Sequence, residues 1–398
     1  MSNALVVFHG DLMTVERLDT AQDSRRIEDT PKHRFQGLTK PPALFHFKMA
    51  GVDTIWCAYI LPDSSRHDEN SLFQHVGTIR PNETGKFSSK TGPGFRRMHK
   101  VIQHDLWASM LNCWRLVVCE ANTKWTSLEL FAKSKPSWEL IVQLSEEIVE
   151  KYVATTAGIS GLRRMPEELR DQIWENQCLR NRDELLYVET SHAMNAGDIG
   201  RVEQTFLQWI YMFRATGKHK YSAHLLWFLH ELYYFYPADV LDIIRMNWLV
   251  NPTGKGNRFR GVDWVVERNN LYTKVIYGGG SSNHTIERII EESVLIELFR
   301  DSHVTIENGF HLKHTTICHS PPNMVKTLQK LESRFDEHDP NTFKAGWTAK
   351  YCVPDTIAKG MEAIYDIVSK NLFTIEDLEA GNANTQTSME RAPEDLYD

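Results

Sequence analysis

Apolar residues along the chain recur mainly three and four positions apart, which is the spacing of one buried face of an α-helix. Segments with this spacing predict helices at 44–61, 95–121, 138–153, 167–194, 202–215, 221–236, 238–248, 262–276, 285–302, 324–335 and 356–371. The chain is therefore predicted to be mainly α.

A different pattern occurs near the N-terminus, where a short valine-rich apolar run covers positions 4–9. Such a run predicts a buried strand. It ends at Gly10 and Asp11, so an acidic side chain is expected in the loop that follows the strand. We expect any sheet to be small and to lie in this N-terminal region.

Composition shifts suggest how the 398 residues are divided. Positions 62–97 are polar and rich in glycine, proline and serine, which is typical of a long loop. Positions 375–398 contain seven acidic residues and one arginine, so their net charge is −6. The whole chain has a net charge of −7, which leaves −1 for positions 1–374. The expected divisions are an N-terminal element (1–61), a flexible insertion (62–97), a helical domain (98–374) and an acidic disordered tail (375–398).

Six cysteines are scattered without paired spacing, and no secretory signal is evident at the N-terminus. This usage favours an intracellular protein, nuclear or cytoplasmic, without disulfides. No apolar run approaches the roughly 18 residues of a membrane span, so we expect no membrane partner. The oligomeric state stays open.

Two stretches concentrate positive charge locally. The first covers positions 80–100 and contains six bases against Glu83 alone. The second covers 245–274, where the bases lie beside Asp263 and Glu267; its candidate nucleic-acid-binding residues are Lys255, Arg258, Arg260, Arg268 and Lys274. Either stretch could contact the phosphates of DNA, and either could equally be an ordinary solvated surface.

Two further motifs in the sequence are weaker. His311, His314, Cys318 and His319 could ligate zinc, but closely spaced histidines also occur on surfaces without metal. The glycines at 278–280 are more typical of a helix-terminating turn than of a phosphate-binding loop, because no Walker spacing surrounds them.

Five sequence blocks carry a resemblance to a known family. They are Gly10-Asp11-Leu-Met-Thr14, Leu44 to Met49, Gly197 to Glu203, Gly217 to Tyr221, and Asn247 to Gly254 running on through Asp263 to Asn270. In this order they resemble domain-of-unknown-function 6589, a family abundant in mushroom-forming fungi and similar to cut-and-paste transposases.

The resemblance implies a partial ribonuclease-H-like α/β element followed by a large helical region. It also implies an Asp-Asp-Glu site in which carboxylates hold Mg²⁺ for phosphodiester chemistry. Asp11 would be the second aspartate and Glu267 the closing glutamate, both of them catalytic and metal-binding. The first aspartate is expected upstream, on a strand that this chain does not contain, so catalysis is expected to be lost.

Simpler interpretations of these residues remain open. Asp11 could be a turn residue, and Glu267 a solvated or salt-bridged helix position. Asp198 is expected to cap a helix, and His46 to be a satisfied core histidine. Two functions therefore compete: a transposon-derived, non-catalytic helical protein that binds nucleic acid, and a metal-dependent nuclease or transposase-type enzyme.

Overall fold

The computed structural model describes residues 5–277, 285–312 and 323–369, and within these ranges most residues are helical. The α-helices are α1 (Leu12–Ser24), α2 (Leu44–Tyr59), α3 (Asp63–Arg66), α4 (Leu72–Ile79), α5 (Thr84–Phe87), α6 (Phe95–Ala121), α7 (Leu128–Lys133), α8 (Trp138–Tyr152), α9 (Thr156–Arg163), α10 (Gln172–Ala196), α11 (Ile199–Ala215), α12 (His219–Tyr234), α13 (Ala238–Met246), α14 (Val262–Tyr277), α15 (Ile286–Glu292), α16 (Ile296–Gly309), α17 (Val325–His338) and α18 (Thr356–Ser369). The prediction of a mainly helical chain with a large helical region is confirmed.

The predicted helix at 285–302 has a different form. It is divided into α15, a 3₁₀ turn at Ser293–Leu295, and α16. The hydroxyl of Ser293 donates to the carbonyl of Ile290 at 2.7 Å, a local bond that competes with the regular helical pattern. In the described residues no helix is long and apolar enough to cross a membrane.

The described part of the chain contains four two-residue strands, which form two small sheets. Strand β1 (Val6–Val7) pairs in parallel with β2 (Leu38–Thr39), and β3 (Leu249–Val250) pairs antiparallel with β4 (Arg260–Gly261). The predicted strand at 4–9 is thus confirmed at its centre. The expectation that β-structure would be confined to the N-terminus is wrong, because strands of two residues are too short to leave an alternating pattern in the sequence.

The main core surrounds α2. Its buried apolar side chains extend from Leu44 to Val353 along the chain. The ring of Phe47 makes edge contacts with Phe206 and Phe213 of α11, at centroid distances of 5.3 and 5.6 Å. A second, smaller cluster joins α6, α7 and α8. Helix α2 is therefore held rigidly, and so is the position of its N-terminus.

Positions 62–97, expected as a flexible insertion, contain α3, α4, α5 and a 3₁₀ turn at Pro81–Glu83. Leu72, Val76 and Phe87 are fully buried in the main core, and Trp56 donates from Nε1 to the carbonyl of Phe87 at 3.0 Å. These few buried residues anchor the polar segment to the main core. The polar composition of the segment did not predict this anchoring. The proposed division of the chain into domains stays a prediction.

Candidate functional site

The start of α2 receives a carboxylate from another helix. Ala43, at the N-cap position, has no side chain that could cap the helix. Instead the backbone amides of Phe45 and His46 donate to the buried carboxylate of Asp263, at 2.9 and 3.0 Å. A helix N-terminus carries partial positive charge and free N–H groups, so it stabilises this buried anion.

Gly261 makes this approach possible. A Cβ at this position would lie 2.4 Å from Asp263 Oδ1 and 3.1 Å from the backbone nitrogen of Phe45. Any other residue would collide with the contact between Asp263 and α2. The end of β4 and the start of α14 are thereby fixed against α2.

His46 links Asp263 to Glu267. Its Nδ1 lies 3.1 Å from Asp263 Oδ2, and its Nε2 lies 3.9 Å from Glu267 Oε1. Burial by itself lowers the pKa of His46, but the hydrogen bond and charge of Asp263, together with the charges of Glu267 and Asp11, raise it above its ordinary value. Residues 263 and 267 are four apart on α14 and so share one face. The result is a histidine flanked by carboxylates, which we call the acidic cluster (Asp11, His46, Asp263, Glu267).

Asp11 has a local role within this cluster. It is the N-cap of α1, and its Oδ1 accepts from the backbone nitrogen and the hydroxyl of Thr14, at 2.8 and 2.6 Å. Its charge also acts on Tyr221, where burial, followed by the charges of Asp11 and Asp263, raises the pKa. Asp11 and Glu267 thus act on the same histidine although they are far apart in sequence. Their catalytic assignment stays a prediction.

The donor set does not fit a divalent metal well. Among the described residues no group of three or more His, Cys, Asp or Glu side chains is arranged to hold a metal ion. The carboxylate of Asp263 is engaged by two backbone amides, and that of Asp11 by Thr14. Both carboxylates thus already serve the fold as hydrogen-bond acceptors, and Mg²⁺ binding here stays a prediction.

The other sequence candidates lie apart from this cluster. Asp198 is exposed and accepts from the backbone nitrogen of Arg201 at 3.1 Å, which confirms the interpretation as a helix cap. The candidate zinc residues His314, Cys318 and His319 lie outside the described residues.

A basic cleft adjoins the acidic cluster on the neighbouring face of α14. Its volume is about 240 Å³, and it is lined by Pro252, Thr253, Lys255, Arg258, Arg260, Trp264 and Arg268. Four of the five predicted nucleic-acid-binding residues therefore come together. The fifth, Lys274, does not line the cleft; it lies six residues beyond Arg268 on α14, about 9 Å along the helix axis.

The cleft has uncompensated positive charge. Lys255, Arg258 and Arg260 form no salt bridge with any residue in the described part of the chain. Burial, and then the charge of Arg258, lower the pKa of Arg260. Arg268 differs, because it pairs with Glu297 of α16 and stacks over the ring of Trp264, 5.1 Å from its centroid. Lys255 and Arg258 are exposed and therefore remain available to an anionic ligand, whereas Arg260 is half-buried and also donates to the carbonyl of Phe259.

The rim of the cleft is held in place by local bonds. Asn251 Nδ2 donates to the carbonyl of Lys255 at 2.8 Å, and Arg260 donates to Asn195 Oδ1 at 2.7 Å. Phe259 packs against Gly197, where an added Cβ would lie 2.8 Å from the ring. Gly197 has φ of 81°, a conformation that favours glycine. The turn between α10 and α11 thus supports residues 251–260, which we call the basic loop.

The first basic stretch points to the same region. Burial, followed by the charges of Lys48, Lys100 and Arg260, lowers the pKa of His99 to about 3. Lys100 belongs to the stretch at 80–100, and Arg260 to the stretch at 245–274. Within the first stretch Glu83 pairs with Arg80 and Arg97. The two stretches therefore act on one side chain, which their separation in sequence did not indicate.

Sequence reasoning missed two features of this site. It treated His46 as an ordinary core histidine, although the residue bridges two carboxylates, and it did not single out Trp264. The signal for His46 was its place in the first turn of a helix that lacks its own capping side chain. The signal for Trp264 was an aromatic residue placed between basic ones.

Comparisons with known proteins agree with the resemblance. No curated protein and no solved structure matches the chain. A family model, described as a family of unknown function (DUF6589), matches residues 1–319, a span that contains all five blocks as well as the acidic cluster and the basic cleft. The chain therefore belongs to the DUF6589 family.

Proposed function

We propose that this chain is a non-catalytic, transposon-derived, intracellular protein that binds nucleic acid through the basic cleft. The observation that carries the proposal is the meeting of Lys255, Arg258 and Arg260 in one cleft, with no salt bridge among the described residues. Placing cations together costs free energy through repulsion, and a polyanion relieves that cost.

The wider charge distribution supports the same ligand. Charges from both basic stretches act on His99, so a phosphate backbone could extend from the cleft towards α6. Outside the acidic tail the chain is nearly neutral, with a net charge of −1. Binding is therefore expected to depend on this local surface and not on bulk charge.

The non-catalytic part of the proposal rests on the acidic cluster. Asp263 caps α2 and Asp11 caps α1, so both carboxylates already serve the fold. The competing function, Mg²⁺-dependent cleavage of a phosphodiester, is favoured by one observation: Asp11 and Glu267 both act on His46, beside the cleft.

A binding experiment tests the main proposal. Fluorescence anisotropy with a labelled oligonucleotide at low salt would compare the wild-type protein with Lys255→Glu/Arg258→Glu. Both residues are exposed, so the fold should tolerate the change. The matched control is Lys124→Glu/Lys326→Glu, which alters the net charge equally at two exposed positions away from the cleft lining.

We expect the cleft variant to lose at least tenfold in affinity and the control to lose much less, because only the former removes phosphate contacts. Equal losses in the two variants would show a bulk charge effect and would contradict the cleft. Cleavage is measured in parallel with Mg²⁺ added. Cleavage that is lost in both Asp11→Ala and Glu267→Ala would overturn the non-catalytic assignment.

A further inference from the structure

Trp264 gives the basic cleft a feature that phosphate binding alone does not require. Its half-buried indole lines the cleft together with Lys255 and Arg258. Arg268, one turn further along α14, holds its guanidinium 5.1 Å from the centroid of the indole ring. The guanidinium thus lies over one face of the indole, and this stacked pair forms part of the wall of the cleft. Both are groups on which nucleic-acid bases stack.

The size of the cleft limits what can enter. Its volume of about 240 Å³ is below the roughly 300–1,000 Å³ of pockets that enclose a whole drug-sized ligand. One base or one nucleotide is therefore a better match than a larger group. Lys255 and Arg258 line the cleft and are exposed, so the phosphates of a base that enters lie within reach of these cations.

A duplex cannot use the wall in this way without distortion. In a double helix each base is paired and stacked, and its ring faces are covered. Extruding one base costs a few kcal/mol, whereas a base in a single strand is already accessible. The phosphates of either form could still contact Lys255 and Arg258.

From these observations we infer that the basic cleft selects single-stranded nucleic acid, with one unpaired base stacked against Trp264 and the flanking phosphates bound by Lys255 and Arg258. This inference rests on the proposed function. It adds the substrate class and a specificity-determining residue.

The experiment measures anisotropy for three labelled ligands of equal phosphate number. They are a single strand, the same single strand with abasic positions, and a duplex. Each is titrated with the wild-type protein, Trp264→Ala and Trp264→Phe. Circular dichroism melts establish that the variants are folded, and Lys255→Gln/Arg258→Gln measures the phosphate contribution separately.

For the intact single strand we expect Trp264→Ala to weaken binding by about 5- to 150-fold, the range for loss of one stacked base. Trp264→Phe keeps a ring and should recover most of the affinity. For the abasic strand, the wild-type protein and Trp264→Ala should have equal affinities. The same equality between the two proteins is expected for the duplex.

Other outcomes separate the inference from the proposed function. If Trp264→Ala weakens all three ligands equally, or none of them, base stacking is wrong while nucleic-acid binding stands. If the wild-type protein binds none of the three at low salt, the proposed function itself fails. A duplex that binds more tightly than the single strand would also overturn the inference.

Discussion

Replacing Asp263 by alanine removes the acceptor for two backbone amides at the start of α2. The carboxylate is buried, with 3% of the residue exposed, and also bonds His46 Nδ1. Leaving a buried hydrogen-bond donor unsatisfied costs about 1–3 kcal/mol, and two backbone amides lose their acceptor here. Loss of an exposed N-cap costs only about 0.5–2 kcal/mol. We therefore expect Asp263→Ala to lower the free energy of unfolding by about 3–5 kcal/mol.

The matched control for this change is Asp198→Ala. Asp198 also caps a helix, but it is exposed and accepts one backbone bond, so about 1 kcal/mol is expected. Urea denaturation followed by circular dichroism gives both values. A cost for Asp263→Ala no larger than that for Asp198→Ala would refute the reasoning that the cap on α2 is a buried, charge-assisted contact.

The pH dependence of the same contact has a defined sign. The pKa of His46 is raised in the folded state, so its stabilising contribution is complete below the ordinary value near 6.5 and is lost as the pH rises through the folded pKa. The destabilisation caused by His46→Gln should therefore be larger at pH 6 than at pH 9. If the destabilisation caused by His46→Gln grew with pH, the ion pair between His46 and Asp263 would be contradicted.

Two further predictions concern stability elsewhere in the fold. Burial, together with neighbouring positive charges, lowers the pKa of His99 to about 3. Below about pH 6.5 the unfolded chain therefore binds a proton at this residue that the folded chain does not bind. His99→Gln should reduce the loss of stability between pH 7 and pH 5, by about 2 kcal/mol at pH 5, as measured by urea titrations at each pH. Gly360→Ala should cost about 3 kcal/mol or more by thermal denaturation, because its Cβ would lie 2.0 Å from the carbonyl oxygen of Tyr211. Gly161→Ala is the control, with no atom within 4 Å of its added Cβ, and unchanged or higher stability is expected there.

The helical character of the chain could be predicted because most helices have one apolar face. Helix α6 was predicted with both of its boundaries, and Glu267 was predicted on a helix. Hydrophobic periodicity does not predict the burial of polar or charged side chains. Helix α10 buries Arg180 and Asp183, which contact Asp105 of α6 and Tyr59 of α2. Such pairings are tertiary contacts, so no local pattern could reveal them.

The candidate site could be predicted only in part, for the same reason. Charge counts identified Lys255, Arg258 and Arg260, since they lie close together in sequence. The capping of α2 by Asp263 spans 218 positions and depends on the close approach at Gly261. The small strands β3 and β4, which bring the basic loop beside α14, are too short to predict. The basic residues could thus be predicted from the sequence, but the cleft that they line depends on tertiary contacts of the folded chain.

Salt dependence of binding tests the central claim most directly. Affinity for a single-stranded oligonucleotide is measured from low to physiological salt for the wild-type protein and for Lys255→Gln/Arg258→Gln. Each phosphate contact to a single strand contributes a slope of about −0.7 in log affinity against log salt. We predict a steep negative slope for the wild-type protein that becomes shallower by about 1.4 in the variant. Identical slopes, or no wild-type binding at low salt, would contradict nucleic-acid binding at the basic cleft.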